Sequence, residues 1–142
     1  MDAVRREPSE PVSIPPRPLV HYTQQPSRLE ACNDNDKAVL RLQGGGVLTV
    51  TIIEQAFSRM RESQSVPPNL LIDLRDVAGY ESHAVACANS LLEHAPAYGV
   101  RRIAFLASSG AVHAAAQVAS SRAIVPLRSF ANERSARDWL VS

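Results

Sequence analysis

From Arg28 onward the apolar positions switch between two periods, and each switch marks a change of element. "RLEAC" (28–32) and "AVLRLQ" (38–43) are short strand-type segments. The intervening "NDNDK" is rich in the Asn and Asp residues that favour turns, so the two predict an antiparallel hairpin. "GGG" at 44–46 reads as a flexible turn. Thr51 and Glu54 have the S/T-x-x-E spacing of a capping box, and Ile53, Ala56, Phe57 and Met60 follow at helical intervals. Pro67-Pro68 closes the next linker. "NLLIDL" (69–74) is then almost wholly apolar, as a strand covered on both faces should be.

The alternation continues. Ala84, Ala88, Leu91, Leu92 and Ala95 mark one face of a second helix, with Pro96 and Gly99 just beyond its end. "RIAFLA" (102–107) is a further buried strand, and Val112, Ala115, Ala116 and Ala119 fit a third helix whose small side chains suit close packing on a sheet. "AIVPL" (123–127) is a last strand, and its Pro126 lacks a ladder donor, which assigns it to an edge or a strand end. Asn132 is placed to cap "ERSARDWL", where Ala136, Trp139 and Leu140 point one way. The order β-β-α-β-α-β-α-β-α predicts an α/β fold: a mostly parallel central sheet, an antiparallel N-terminal hairpin and four helices, joined by right-handed crossovers.

Composition sets the domain count and narrows the partners. With 142 residues, 45% hydrophobic and 20% charged, the chain suits a single core. Six of its ten prolines fall in the first 26 residues, which predicts a disordered tail over 1–27 and one domain over 28–142. A net charge of +1, with Arg5-Arg6 and Arg101-Arg102 the only basic pairs, gives no field that would gather nucleic acid. Cys32 and Cys87 are far apart and form neither a zinc spacing nor a redox pair. The N-terminus has no apolar signal region, and the uncharged run from Ile103 to Ser121 is broken by serines, Gly110, His113 and Gln117, so no membrane insertion and a cytoplasmic location are expected.

Motifs for chemistry are sparse. The triple glycine lacks both the phosphate-loop ending and the dinucleotide spacing. Ser108, Ser109 and Gly110 join a strand end to a helix start, a weak candidate for anion binding because every α/β protein has that geometry. No HExxH, CxxC or calcium-loop pattern occurs, and no GxSxG elbow, so neither a metal, a cofactor nor a catalytic residue is predicted. Ser82 and His83 are adjacent, and neighbours on a helix diverge by about 100°, which disfavours a nucleophile–base pair.

"LLIDLRDVAGYESHAV" (70–85) resembles the central signature of STAS domains, the sulfate-transporter and anti-sigma-factor-antagonist group, which typically reads D-L-S-x-V-x-x-I-D-S-S-G-L. Asp73, Leu74 and Val77 match directly; Tyr80 stands for the apolar residue, Glu81 for the second Asp and Ser82 for the first Ser. "YGVRRIAFLASSGAV" and "SFANERSARDWL" further resemble the SpoIIAA-like subgroup, so that the resemblance covers roughly residues 28–140. It implies a regulatory, non-enzymatic module that docks on a protein partner, a regulator or a kinase, through Asp73, Tyr80, Glu81, Ser82 and His83. The family's usual phosphorylated serine is replaced by His83, and the following glycine by Ala84, so the site is degenerate. Ser82 could substitute as acceptor; otherwise it caps the helix by accepting from an N–H near Val85. His83, exposed beside Glu81, would be a charge that changes near neutral pH. The alternative is a carrier of a small apolar, lipid-like ligand, because SpoIIAA-like proteins resemble CRAL-TRIO domains; it predicts a cavity lined by Phe57, Met60, Leu91, Leu92 and Trp139. Both readings place Asp73 at the tail of a central strand and Ser82 at the mouth of the next helix, facing solvent.

Overall fold

Strands that are apolar on both faces need helices above and below them, and the chain supplies these in an unequal split. A computed structural model describes residues 26–32, 38–63 and 66–142. Most of the expected tail and the "NDNDK" turn lie outside the described residues. The elements are β1 (Arg28–Cys32), β2 (Val39–Leu48), α1 (Val50–Glu62), β3 (Asn69–Tyr80), α2 (Ala84–Leu92), a 3-10 turn (Ala95–Tyr98), β4 (Arg102–Leu106), α3 (Gly110–Arg122), β5 (Leu127–Phe130) and α4 (Glu133–Leu140).

The five strands lie in the order β1-β2-β3-β4-β5. β1 pairs antiparallel with β2, and the remaining pairs are parallel. Every crossover from β2 to β5 steps the same way, and a right-handed crossover then keeps its helix on one side of the sheet. α1, α2 and α3 therefore share one face, over a core that includes Leu42, Ile53, Phe57, Met60, Leu70, Ile72, Leu92 and Ile103. α4 follows the last strand and, alone among the described elements, covers the other face, over Val39, Leu71, Ala104 and Leu106. Among the described residues, the predicted α/β architecture with four helices is the one observed.

Four local expectations are corrected. Gly44–Gly46 is not a turn but part of β2. A side chain on Gly44 would meet Leu74 and Val77 at 3.1 Å, and Gly46 has φ +65° with the Pro26 carbonyl oxygen 2.7 Å from where a Cβ would stand. The glycines thus let neighbouring chain pass close against the strand. α1 is capped not by a Thr51/Glu54 box but by Thr49, whose Oγ1 accepts from the Ile52 N–H at 3.1 Å. The last strand begins at Leu127 rather than at Ala123. Pro126 sits just before it, its carbonyl accepting from the Ile103 N–H at 3.0 Å. Among the described strands β5 is an edge strand with Pro126 just before it, in keeping with the edge or strand-end position expected. Finally, β3 runs on to Tyr80, well past "NLLIDL".

Candidate functional site

The extension of β3 shapes the region. Its pairing with β2 slips twice: Gln43 and Gly45 face Asp73 and Asp76, and Gly46 and Val47 face Val77 and Gly79. Each slip puts an extra residue in β3, and each resets which face the next side chain points to. Leu74, Val77 and Tyr80 consequently all line the space under α2 and α3, although strict alternation would separate them.

At the end of β3 the chain turns into α2 through Glu81, Ser82 and His83, all exposed. The turn is tied to the start of α1. The Glu81 N–H donates to the Leu48 carbonyl at 2.9 Å, the Val50 N–H donates to Glu81 Oε1 at 2.8 Å, and the Ala84 N–H donates to the Glu81 carbonyl at 3.0 Å. Glu81 is thus spent partly on holding the corner. The capping role expected for Ser82 is corrected: the N-cap position of α2 is His83, which makes no side-chain cap hydrogen bond. The chain reaches helical geometry at Ala84, one residue too late for the Ser82 hydroxyl to meet the first free N–H groups. Beyond the corner, Ser82 of the turn, Val85, Ala86, Asn89 and Ser90 of α2 and Val118 of α3 border a shallow groove of about 440 Å³. Val118 is 53% exposed and Tyr80 40%.

Asp73 lies elsewhere. Instead of facing solvent at a strand tail, it sits mid-strand under α4 and is 1% exposed. Arg75 donates to Asp73 Oδ1 through its backbone N–H and Nε, both at 3.0 Å, and to Oδ2 through Nη2 at 2.8 Å. Arg41 reaches the same Oδ2 at 2.5 Å. Glu133, in the first turn of α4, binds Arg41 at 2.9 Å and Arg137 at 2.7 Å. Burial alone would raise the Asp73 pKa, but the Arg75 hydrogen bonds and the charges of Arg75 and Arg41 outweigh it and hold the carboxyl below its ordinary value. Glu133 is lowered likewise, burial being outweighed by Arg137 and Arg41. Buried as it is, Asp73 cannot touch a partner directly; it clamps β2 and β3 to α4. Reading the sequence for surface chemistry missed Arg41, Arg75, Glu133 and Arg137, yet a charge inside "LLIDL" was itself the signal that a buried carboxylate needs cationic partners.

The weak anion site is made of groups already engaged. Ser109 caps α3, its Oγ accepting from the Val112 N–H at 3.1 Å, and the Ser108 hydroxyl donates to the Arg75 carbonyl at 3.3 Å. Gly110 opens α3 beside open space, with nothing within 4 Å of where a Cβ would stand. Among the described residues no cluster of His, Cys, Asp or Glu could hold a metal ion, and no helix is long and apolar enough to cross a membrane.

The lining expected for a lipid carrier does not assemble. Phe57, Met60 and Leu92 are closely packed core with Leu91 against them, whereas Trp139 belongs to the opposite face of the sheet. An apolar cavity does lie between β3, α2 and α3, but it measures about 80 Å³. A cavity of about 150 Å³ is filled by benzene, so this one has no room for an acyl chain.

Among the described residues, a five-stranded mixed sheet with three crossover helices on one face and a terminal helix on the other is the α/β fold shared with anti-sigma factor antagonists. Residues 39–141 match the SpoIIAA-like family model, and the chain belongs to that family. No curated protein matches it in sequence. Among solved structures, an uncharacterized protein with a SpoIIAA-like fold from Shewanella loihica PV-4 is 23% identical with a TM-score of 0.59, covering 82% of this chain and 94% of its own. The anti-sigma factor antagonist SpoIIAA in its unphosphorylated form is 15% identical with a TM-score of 0.59, covering 80% and 98%. An anti-sigma factor antagonist from Mycobacterium paratuberculosis is 17% identical with a TM-score of 0.59, covering 82% and 97%. At these identities the likeness is one of fold.

Proposed function

We propose that the chain is a regulatory, non-catalytic protein-docking module whose contact surface is the corner Tyr80-Glu81-Ser82-His83 with the outer face of α2. The observation that carries this reading is the combination of exposure and rigidity at the corner: three consecutive polar residues face solvent while Glu81 is anchored to Leu48 and Val50. A surface fixed before binding loses little conformational freedom on association. The adjoining groove, with exposed Val118, adds apolar area to it. Ser82 serves as the regulatory residue. Its hydroxyl is exposed and is not engaged in capping. A phosphate there would add about −1.5 to −2 charge beside Glu81 and at the start of α2. SpoIIAA, to which the chain is similar in fold, is known in unphosphorylated and phosphorylated forms, which supports phosphorylation as the kind of switch to test here.

Photo-crosslinking tests the reading. A photoreactive side chain at Ala86 should capture a discrete protein from cell extract, and the same group at Glu30, on the far edge strand, should not. Ser82→Asp should change the yield at Ala86 by about tenfold. Incubation of the protein with extract and ATP should place phosphate on Ser82. Equal capture from both positions, unaltered by Ser82→Asp and by His83→Ala, would reduce the corner to a structural joint.

A further inference from the structure

β3 outruns its neighbour. Its ladder with β2 continues as far as the Leu48–Tyr80 pair, whereas its ladder with β4 stops at the Asp73–Leu106 pair. At Arg75 the open side is closed by side chains: the N–H donates to Asp73 and the carbonyl accepts from Ser108 Oγ. From Asp76 to Tyr80 no strand among the described residues lies on the side away from β2. That leaves backbone donors and acceptors in extended geometry along a free edge, the arrangement that accepts another strand. Of the devices that blunt such an edge, this stretch, "DVAGY", lacks lysine and proline and has one charge, Asp76, and one slip, between Val77 and Gly79.

Two further features beside the edge specify what would fit. The apolar cavity of about 80 Å³ is walled by Leu74, Val77 and Tyr80 of the same strand and by Val85, Val112 and Ala115 of the helices. It is too small for a lipid, but it is of the right order for one aliphatic side chain. The exposed Arg75 is ion-paired with Asp73 and Glu133, whereas Asp76 and Glu81 each engage one oxygen toward β2 and α1, on Gln43 Nε2 at 3.4 Å and the Val50 N–H at 2.8 Å, and keep the other for a cation at the ends of the edge. We propose that the Asp76–Tyr80 edge takes up an extended segment of a partner protein as an added strand, with one aliphatic side chain in the cavity and a basic residue against the flanking carboxylates.

This inference rests on the docking reading and names the chemistry of the partner. A second copy of the chain is a poor occupant, since pairing two such edges brings the same carboxylates together. The chain's own N-terminal residues are a poor one as well. Pro11, Pro15, Pro16 and Pro18 have no N–H to give a ladder, and a chain lacking residues 1–25 distinguishes the rest from a partner.

The probe is a capped nonapeptide alternating lysine with valine around a central leucine, compared with the same peptide N-methylated at alternate residues. Binding to the full chain is read by amide hydrogen exchange and NMR shifts. The expected result is slowing of exchange by about tenfold or more at amides within Asp76–Tyr80 with the first peptide, and about tenfold weaker binding of the second. Equal binding of both peptides, protection elsewhere, or no binding at about 1 mM overturns the proposal. Protection that emerges only in a chain lacking residues 1–25 overturns it too, since the chain's own segment would then hold the edge. Capture at Ala86 that responds to Ser82→Asp but ignores saturating nonapeptide would keep the docking corner and remove the added strand.

Discussion

Asp73 and Ser82 stand nine residues apart in one motif and carry opposite kinds of importance. Asp73 is buried between the largely covered Arg41 and the more open Arg75, so removing its carboxylate leaves Arg41 in a covered site with Glu133 as its remaining acidic partner. Asp73→Ala should cost about 3–5 kcal/mol, measured as a shift in the urea midpoint. Because its folded pKa lies below the ordinary value, the ionised group stabilises fully at pH above that ordinary value, about 3.9, and the stabilisation fades as pH falls through the lowered one. The stability gap between wild type and Asp73→Ala should therefore be constant near neutrality and narrow only in strong acid; a gap that narrows between pH 5 and 7, roughly, would mean that another group sets it. Ser82→Ala, by contrast, should stay within about 0.5 kcal/mol of wild type, since the hydroxyl caps nothing. Gly46→Ala should be costly at an equally small change of atoms. Its positive φ alone is worth about 1–2 kcal/mol, and the Pro26 carbonyl leaves no space for the methyl.

At the scale of elements, caps separate what the residue pattern revealed from what it concealed. Thr49→Ala and Asn132→Ala should each lower stability by about 1 kcal/mol, because their oxygens accept from Ile52 and Ser135, while Thr51→Ala should change little. Equal losses at Thr49 and Thr51 would return the cap to the capping-box position. Helical period identified Ile53, Ala56, Phe57 and Met60 as the buried face of α1, and the doubly apolar "LLI" and "IAF" identified the central strands, since burial acts directly on side-chain type. What escaped was set by contacts distant in sequence. Nothing near Gly44–Gly46 announces that Leu74, Val77 and Pro26 will crowd them, so a strand looked like a turn. The two slips in β3 likewise exist only relative to β2, and without them Leu74, Val77 and Tyr80 do not share a face. Of the candidate site, exposure of Glu81, Ser82 and His83 was legible from the β-to-α transition. The burial of Asp73 was signalled only by its place inside "LLIDL", and its partners were not legible because they lie on β2, on β3 and, through Glu133, on α4.

On the scale of the whole molecule, unequal coverage of the sheet has a consequence for dynamics. Three helices bury one face through a core running from Leu29 to Leu127, whereas the other depends on α4, eight residues long, seated by Ala136, Leu140 and the half-buried Trp139. Apart from that contact, α4 is held by charge: Glu133 to Arg41 and Arg75, and Arg102 both bonded to the Trp139 carbonyl at 2.5 Å and placed 5.4 Å from the Trp139 ring. Glu133 and Arg75 are each about a third exposed, and such pairs weaken with added salt while apolar burial does not. A segment with little apolar area and screened anchors belongs to the low-stability end of a fold. Native-state hydrogen exchange should accordingly find the amides of Ala136 and Val141 opening at lower free energy than those of Leu70 to Ile72. The difference should widen between low salt and about 0.5 M salt, as the Debye length contracts to a few ångströms. If both sets open together at every salt concentration, α4 is an integral part of the global unit, and the Asp73–Glu133 cluster is packed too tightly for ions to reach.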